Sequence, residues 1–262
     1  MAGNTAEPGA TVIARTAKLL GAFDGEHPRL TLSETSARSG LSMTTTHRML
    51  GELVEANLLS RGSDHRYSIG RALWELGELS PLSLNLRETA LPYLLTLYEA
   101  TAENVHLAIL DGMEALYVAR LMGPRSIPTI SRMGGRLPLH TTGVGKALLA
   151  WQDDAFLADY FSRELERPTK ISITSEPRLR AQLAEVRRSG FSQTHQEMTL
   201  GNTSLAVPVM GRGGAPLAAV GLVTHTMRAD ALRLVPVLQK AAAGMSASLL
   251  ELMDREGTDS LT

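Results

Sequence analysis

The stretch from Ser42 to Leu59 constrains this chain more than any other. Apolar groups fall at Thr46 (through its methyl), Met49, Leu50, Leu53 and Val54. That is the i, i+3, i+4, i+7, i+8 stripe of a helix with one buried face. Ser42 stands where an N-cap belongs, its hydroxyl placed to accept a backbone N–H of the first turn. The opposite face carries Thr44, Arg48, Gly51, Glu52 and Glu55, with Thr45 and His47 on the flanks of the first turn. Short hydroxyls at a helix start let a backbone approach a DNA groove, and Arg48 has the reach for a phosphate or a guanine edge. Upstream, Thr31-Leu32-Ser33-Glu34 is a capping box opening a short helix that ends at Gly40. Gly40-Leu41-Ser42 then supplies the tight turn of a helix-turn-helix. Downstream, Leu58–Arg61 and Arg66–Ile69 read as two strands around the turn Gly62-Ser63-Asp64-His65, a β-wing. The plainer alternative is a small helical subdomain carrying a hairpin.

The 262 residues suffice for two modest domains. A formal net charge of −1 excludes a chain coated in positive charge for nonspecific nucleic-acid binding. A DNA footprint must therefore come from placement, with Arg38, Arg48, Arg61 and Arg66 near one face. One copy offers few phosphate contacts, which favours a dimer. The absence of cysteine excludes disulfides, thiolate metal sites and a cysteine nucleophile. No apolar run approaches the roughly 18 residues of a membrane span, and no signal-peptide core opens the chain. The expectation is a cytoplasmic protein with no membrane partner, no metal and no cofactor.

Read in order, Met1 to Gly9 is a frayed tail, and Ala10 to Phe23 is a first helix backing the other two. The first domain runs over 10–70 and a linker helix over 71–84. A helical run follows from Ser83 to Ala100, kinked or restarted at Pro92. The apolar richness of this connector suits dimerisation better than a bare spacer. The rest, over 85–254, reads as a mixed α/β domain. Val105–Leu110 and Ala115–Leu121 are strands joined at Asp111-Gly112, a hairpin signal. Ile127–Ser131 is a short strand, and Thr142–Trp151, Asp153–Phe161 and Glu176–Ser189 are helices. Phe191–Gln196, Leu205–Met210 and Leu217–Thr226 are strands, the last two turned at Gly211-Arg212-Gly213-Gly214. Asp230 caps a final helix through Leu252. Hairpin strands with helices between them make an α+β fold, an antiparallel sheet covered by helices.

With these elements placed, the chain resembles the IclR family of bacterial transcriptional regulators over nearly its full length. Three runs carry the resemblance: Leu41 to Leu50 with Tyr67-Ser68-Ile69-Gly70 after the wing, Gly134 to Ala150, and Glu185 to Phe191 leading into Glu197 and Gly201. The resemblance implies an N-terminal winged helix-turn-helix, a linker helix and a C-terminal GAF-like effector domain, assembled as a homodimer or a dimer of dimers. It implies double-stranded operator DNA and a small organic effector as partners, with DNA contacts from Arg38, Ser42, Thr44, Thr45, His47, Arg48, Arg61 and Arg66. It also implies an effector pocket. Gly143 and Val144 offer backbone N–H groups at a helix start, and Thr129, Leu137 and Leu139 give the lining. Thr194, Ser204, Gly221 and Val223 face the ligand, with His195 beside them. Relatives that bind small oxo-acids carry an acid where this chain has Thr194, and serines where it has Gly221 and Val223. That departure implies a less polar, larger effector.

Two rival readings weaken on the residues. Gly143-Val144-Gly145-Lys146 lacks the earlier glycine and the following Ser or Thr of a phosphate loop. As an enzyme, the chain shows no Gly-x-Ser-x-Gly elbow and no histidines at metal-ligand spacing. Asp111, Glu114 and Glu197 remain open as a carboxylate set. An architectural DNA binder that ignores small molecules would not need the roughly 160 residues after the linker.

Overall fold

The computed structural model describes residues 11–123, 129–227 and 231–257. The chain divides into two compact units, 1–80 and 81–262. The first opens with helix α1 (Val12–Leu20), capped by the Thr11 hydroxyl. Strand β1 (Arg29–Leu30) leads to α2 (Leu32–Ser39), where Thr31 and Glu34 form the full reciprocal capping box. Gly40 ends α2 with φ of 69°, a left-handed conformation that costs glycine nothing. Helix α3 (Met43–Glu55) follows at once, with the Ser42 hydroxyl accepting the Thr45 N–H. Its buried stripe is Thr46, Met49, Leu50 and Leu53, with Val54 half-buried. This stripe packs with Leu19, Leu59 and Tyr67 in one small core. Strands β2 (Leu59–Arg61) and β3 (Tyr67–Ile69) form the wing hairpin, and β1 joins β3 to make a three-stranded antiparallel sheet. Helix α4 (Arg71–Glu78) closes the unit, leaving Trp74, Leu76 and Leu79 exposed.

The second unit is a six-stranded antiparallel sheet with helices on both faces. A π-type segment (Leu82–Arg87) runs into α5 (Glu88–Thr101), which accommodates Pro92 in its second turn. Strands β4 (Asn104–Asp111) and β5 (Glu114–Leu121) turn at Gly112, φ 58°. The expected strand at Ile127–Ser131 is not formed at Thr129–Ser131; Ile127 and Pro128 lie outside the described residues. The edge strand is instead β6 (Arg136–Pro138), pairing Leu137 with Ala115. Helices α6 (Gly143–Leu149), α7 (Asp154–Ser162) and α8 (Glu176–Ser189) follow, then β7 (Ser192–His195), β8 (Asn202–Met210) and β9 (Pro216–His225). The last helix is α9 (Val235–Glu256); the expected cap at Asp230 lies outside the described residues.

Strand order is β6-β5-β4-β9-β8-β7. Side-chain alternation divides the sheet's two faces. Val105, Leu107, Leu205, Val207, Val220 and Leu222 point to one core with α5 and α9. Ala108, Tyr117, Ala206 and Ala219 point to a second core with α6, α7 and α8. Small residues on that face let α6 lie close. A Cβ on Gly145 would sit 2.4 Å from the Leu139 carbonyl oxygen, and one on Gly221 would sit 3.0 Å from Val144 Cγ1.

Candidate functional sites

In the first unit, α3 presents the face expected of a groove-reading helix. Thr44, His47, Arg48, Gly51, Glu52 and Glu55 are exposed, and Thr45 is half-buried beside Ser42. Its hydroxyl accepts from Ser42 at 2.9 Å, so these two oxygens secure the helix start as well as facing outward. Arg48 pairs with Glu52 one turn on, an exposed contact that a phosphate can displace at little cost. On the wing, the Arg61 guanidinium lies 5.5 Å from the Tyr67 ring centroid and is within 3.1 Å of His65 Nδ1. Arg66 donates to Glu34 and to the Arg29 carbonyl, and Arg29 in turn pairs with Asp64. Arg38 is more deeply engaged: it donates to the Ala22 carbonyl at 2.7 Å and pairs with Asp24. Its guanidinium ties α2 to the α1–β1 loop. The Asp24 carboxyl sits down at about 2, held there chiefly by the His27 backbone N–H.

In the second unit, a half-open cavity lies between the sheet and α6, with about 490 Å³ of empty space counting its mouth. Of the expected effector residues, the structure brings together Thr129, Leu137, Gly143, Val144, Thr194, Ser204, Gly221 and Val223. Two do not line it. Leu139 is fully buried and packs in the core with α7 and α8, so it supports the wall from behind. His195 is exposed and engages the Thr203 and Thr226 hydroxyls at 3.2 Å; strand alternation turns it away from Thr194's face.

The start of α6 is clamped to the sheet. Ser204 accepts the Gly143 N–H at 3.0 Å and is hydrogen-bonded to Thr194, while Ser192 donates to the Gly143 carbonyl at 2.6 Å. Thr142 caps the helix by accepting the Gly145 N–H. Beneath the cavity lies a buried ion pair between Lys146, weighed in the sequence only as part of a phosphate loop, and Glu197, left open there in a carboxylate set. Lys146 and Glu197 are 0% and 3% exposed. Lys146 Nζ donates to both Glu197 oxygens (2.7 and 2.8 Å) and to Gln182 Oε1 (2.7 Å), so all three of its N–H donors are used. Burial pulls the Lys146 pKa down, and the Glu197 charge opposes that pull. Glu197 lines the cavity, and its carbonyl accepts from Ser172 and Thr169. Of the carboxylates left open by the sequence, Asp111 and Glu114 stand opposite each other in the β4–β5 register, with Asp111 paired to Arg136, while Glu197 is taken up by Lys146.

His106 is a further lining residue without a local signal in the sequence. Its ring meets Ser131 Oγ at 3.0 Å and lies edge-on to Tyr117, centroids 5.3 Å apart. Burial, reinforced by the nearby Arg120 charge, pushes its pKa down to about 3, so the imidazole is neutral. Among the described residues, no group of three His, Cys, Asp or Glu side chains is placed to hold a metal, and no helix is long and apolar enough to cross a membrane.

A winged helix-turn-helix joined to a ligand-sized cavity defines a class, that of sensor–regulators of transcription. Residues 12–63 match the IclR helix-turn-helix domain, and residues 81–247 match the C-terminal domain of bacterial IclR regulators. The chain belongs to the IclR family. It is 31% identical over 242 residues to the transcriptional regulator XynR of Escherichia coli K12, covering 90% of this chain and 96% of that one. The regulator KdgR of the same organism is 31% identical over 86% of this chain and 88% of its own length. Among solved structures, an IclR homologue from Microbacterium hydrocarbonoxydans, complexed with 4-hydroxybenzoate, superposes with TM-score 0.85 at 30% identity, covering 91% of this chain and 99% of that one. The Thermotoga maritima IclR structure gives 0.74 at 26% identity, over 90% and 98%. The chain is thus a DNA-binding transcriptional regulator and not an enzyme.

Proposed function

We propose that this regulator is a repressor that binds a near-palindromic operator as a homodimer or a dimer of dimers and responds to a small organic effector held in the cavity against α6. The observation that carries the reading is the presence in one chain of an exposed hydroxyl-and-guanidinium helix face and a separate cavity with polar side chains in its wall. Arg48 and the first turn of α3 read the major groove, with Arg61 and Arg66 of the wing contacting phosphates. Arg38 acts mainly by holding α2. Exposed Val12 and Ile13 on α1, with Trp74, Leu76 and Leu79 on α4, support self-association through the first unit. The effector acts by binding one arrangement of the dimer more tightly than the other. The 4-hydroxybenzoate bound by the Microbacterium homologue supports the ligand-binding role of the cavity.

Sequencing genomic fragments captured by the purified protein, with and without a metabolite panel, tests the whole reading. Arg48→Ala is expected to weaken operator binding by about 1–3 kcal/mol in a gel shift, the range for one base-reading arginine. Unchanged affinity would refute its placement in the groove. Val223→Asp is expected to abolish the effector response while operator binding persists, and a normal response would move the effector site elsewhere.

A further inference from the structure

We propose that Asp64, an acid at the turn of the wing, strengthens DNA binding as a positioning residue. Through Arg29 it braces the wing hairpin, and with a second tie from Arg66 to Glu34 it fixes the angle between the wing and α3. This rests on the wing contacting the phosphate backbone beside the recognition helix.

The wing's own ladder is three residues long on each side, and β1 adds only two more pairs. So short a ladder leaves the far end of the hairpin free to swing. Two ties restrain it. Arg29 of β1 reaches over the turn, where its Nη2 donates to both Asp64 oxygens at 2.8 and 2.7 Å. Gly62 leaves the room for that pair: a Cβ there would lie 2.6 Å from Asp64 Oδ1 and 3.0 Å from Arg29 Nη2. On β3's side of the turn, Arg66 donates to Glu34 at 3.0 Å and to the Arg29 carbonyl at 3.3 Å. Both bonds leave from Nη1, so a phosphate can still take Nη2. Glu34 is itself fixed by the Thr31 backbone N–H at 2.7 Å. From α2 the restraint passes to α3, because Ser36 and Thr46 both donate to the Leu41 carbonyl between the helices.

Both ion pairs are exposed, Arg29 and Asp64 by 55% and 45%, so they add little to folding stability. Their value lies in binding. A contact surface split between a helix and a hairpin loses affinity when the hairpin must be ordered at the moment of association. Charge alone argues for the opposite outcome, since an acid beside DNA repels phosphates and its removal should tighten binding. The sign of the effect therefore separates bracing from simple electrostatics.

The test measures binding of the operator fragment recovered by genomic capture, by fluorescence anisotropy at several salt concentrations. Full-length wild type is compared with Asp64→Asn, Arg29→Gln, their double variant and Arg61→Ala. Asparagine keeps the Oδ1 that accepts the Arg66 N–H at 3.3 Å but drops the charge; Glu34 is left alone because it also caps α2. Asp64→Asn is expected to weaken binding roughly threefold per wing, about tenfold where two wings engage one operator, with the wild-type dependence on salt. The double variant should bind no more weakly than the weaker single one, because the two residues act as a unit. Arg61→Ala should lower the slope of log K against log salt by about one per wing. Binding by Asp64→Asn as tight as wild type or tighter, or a double variant whose loss is the sum of the two singles, would overturn the brace. Those results beside a reduced Arg61→Ala slope leave wing contact standing. An Arg61→Ala variant with unchanged affinity and slope would remove the wing from the DNA, and the proposal with it. Should Asp64→Asn fail to fold, Arg29→Gln decides: weaker binding at the wild-type slope supports the brace, and a reduced slope makes Arg29 a phosphate contact and overturns it.

Discussion

Replacing Lys146 by Met probes the one buried charge pair that α6 carries. Methionine keeps the length of the side chain but removes the ammonium, leaving Glu197 in the interior without its counter-charge and Gln182 without its donor. At 0% and 3% exposure neither end of the pair is reached by bulk water. Removing one partner of such a pair costs roughly 3–5 kcal/mol, mostly the penalty of the stranded charge. The penalty is that of an ionised carboxylate held in the interior with no cation beside it. Adding Glu197→Leu should return most of the loss, because an apolar pair of similar volume strands no charge. Urea unfolding of the full chain, followed by far-UV circular dichroism, reads wild type and both variants. A loss under about 1 kcal/mol in Lys146→Met, or a double variant no better than the single one, would refute the account of the pair.

Three further outcomes are expected. His106 has its pKa lowered to about 3 by burial, with Arg120 adding to the shift, and it also contacts Ser131 and Tyr117. The stability this contributes is present above the unfolded pKa near 6.5 and is lost as pH falls toward 3, by up to about 1.4 kcal/mol per pH unit. Melting temperatures should therefore drop below pH 6.5 in wild type and drop less in His106→Gln. Gly145→Ala would bring a Cβ within 2.5 Å of Thr142 Oγ1 as well as onto the Leu139 carbonyl, so α6 must shift. A loss of about 1–3 kcal/mol in urea unfolding is expected, the range for overpacking. Thr31→Ala removes the capping box of α2 and should cost about 1 kcal/mol, read as a lower melting temperature of the 1–80 unit.

Much of the fold was legible because its signals are local. Thr31 and Glu34, Gly40, Ser42, Asp111-Gly112 and Gly211 to Gly214 each act within four residues, and each marks a boundary in the structure. Signals that depend on partners far along the chain were not legible. The β-branched residues near 129 suggested a strand, but the edge of the sheet is completed by Arg136–Pro138, where Arg136 finds Asp111. Lys146 meets a carboxylate 51 residues away, and no periodicity marks that meeting. Leu139 and His195 were misplaced for a related reason. A short helical turn carries Leu139 inward, and Thr194 and His195 occupy opposite faces of a strand whose register had first to be known. His106 is a lone histidine in an apolar strand until Ser131 folds over it.

Alternation along β4, β8 and β9 separates two jobs within single strands. One set of alternate residues holds the sheet to its scaffold helices, while the other supplies the chemistry that a ligand meets. Changing Thr194, Ser204 or Val223 therefore leaves the α9 side untouched. A sensor with that construction can be retuned to new compounds one floor tile at a time without re-engineering its frame.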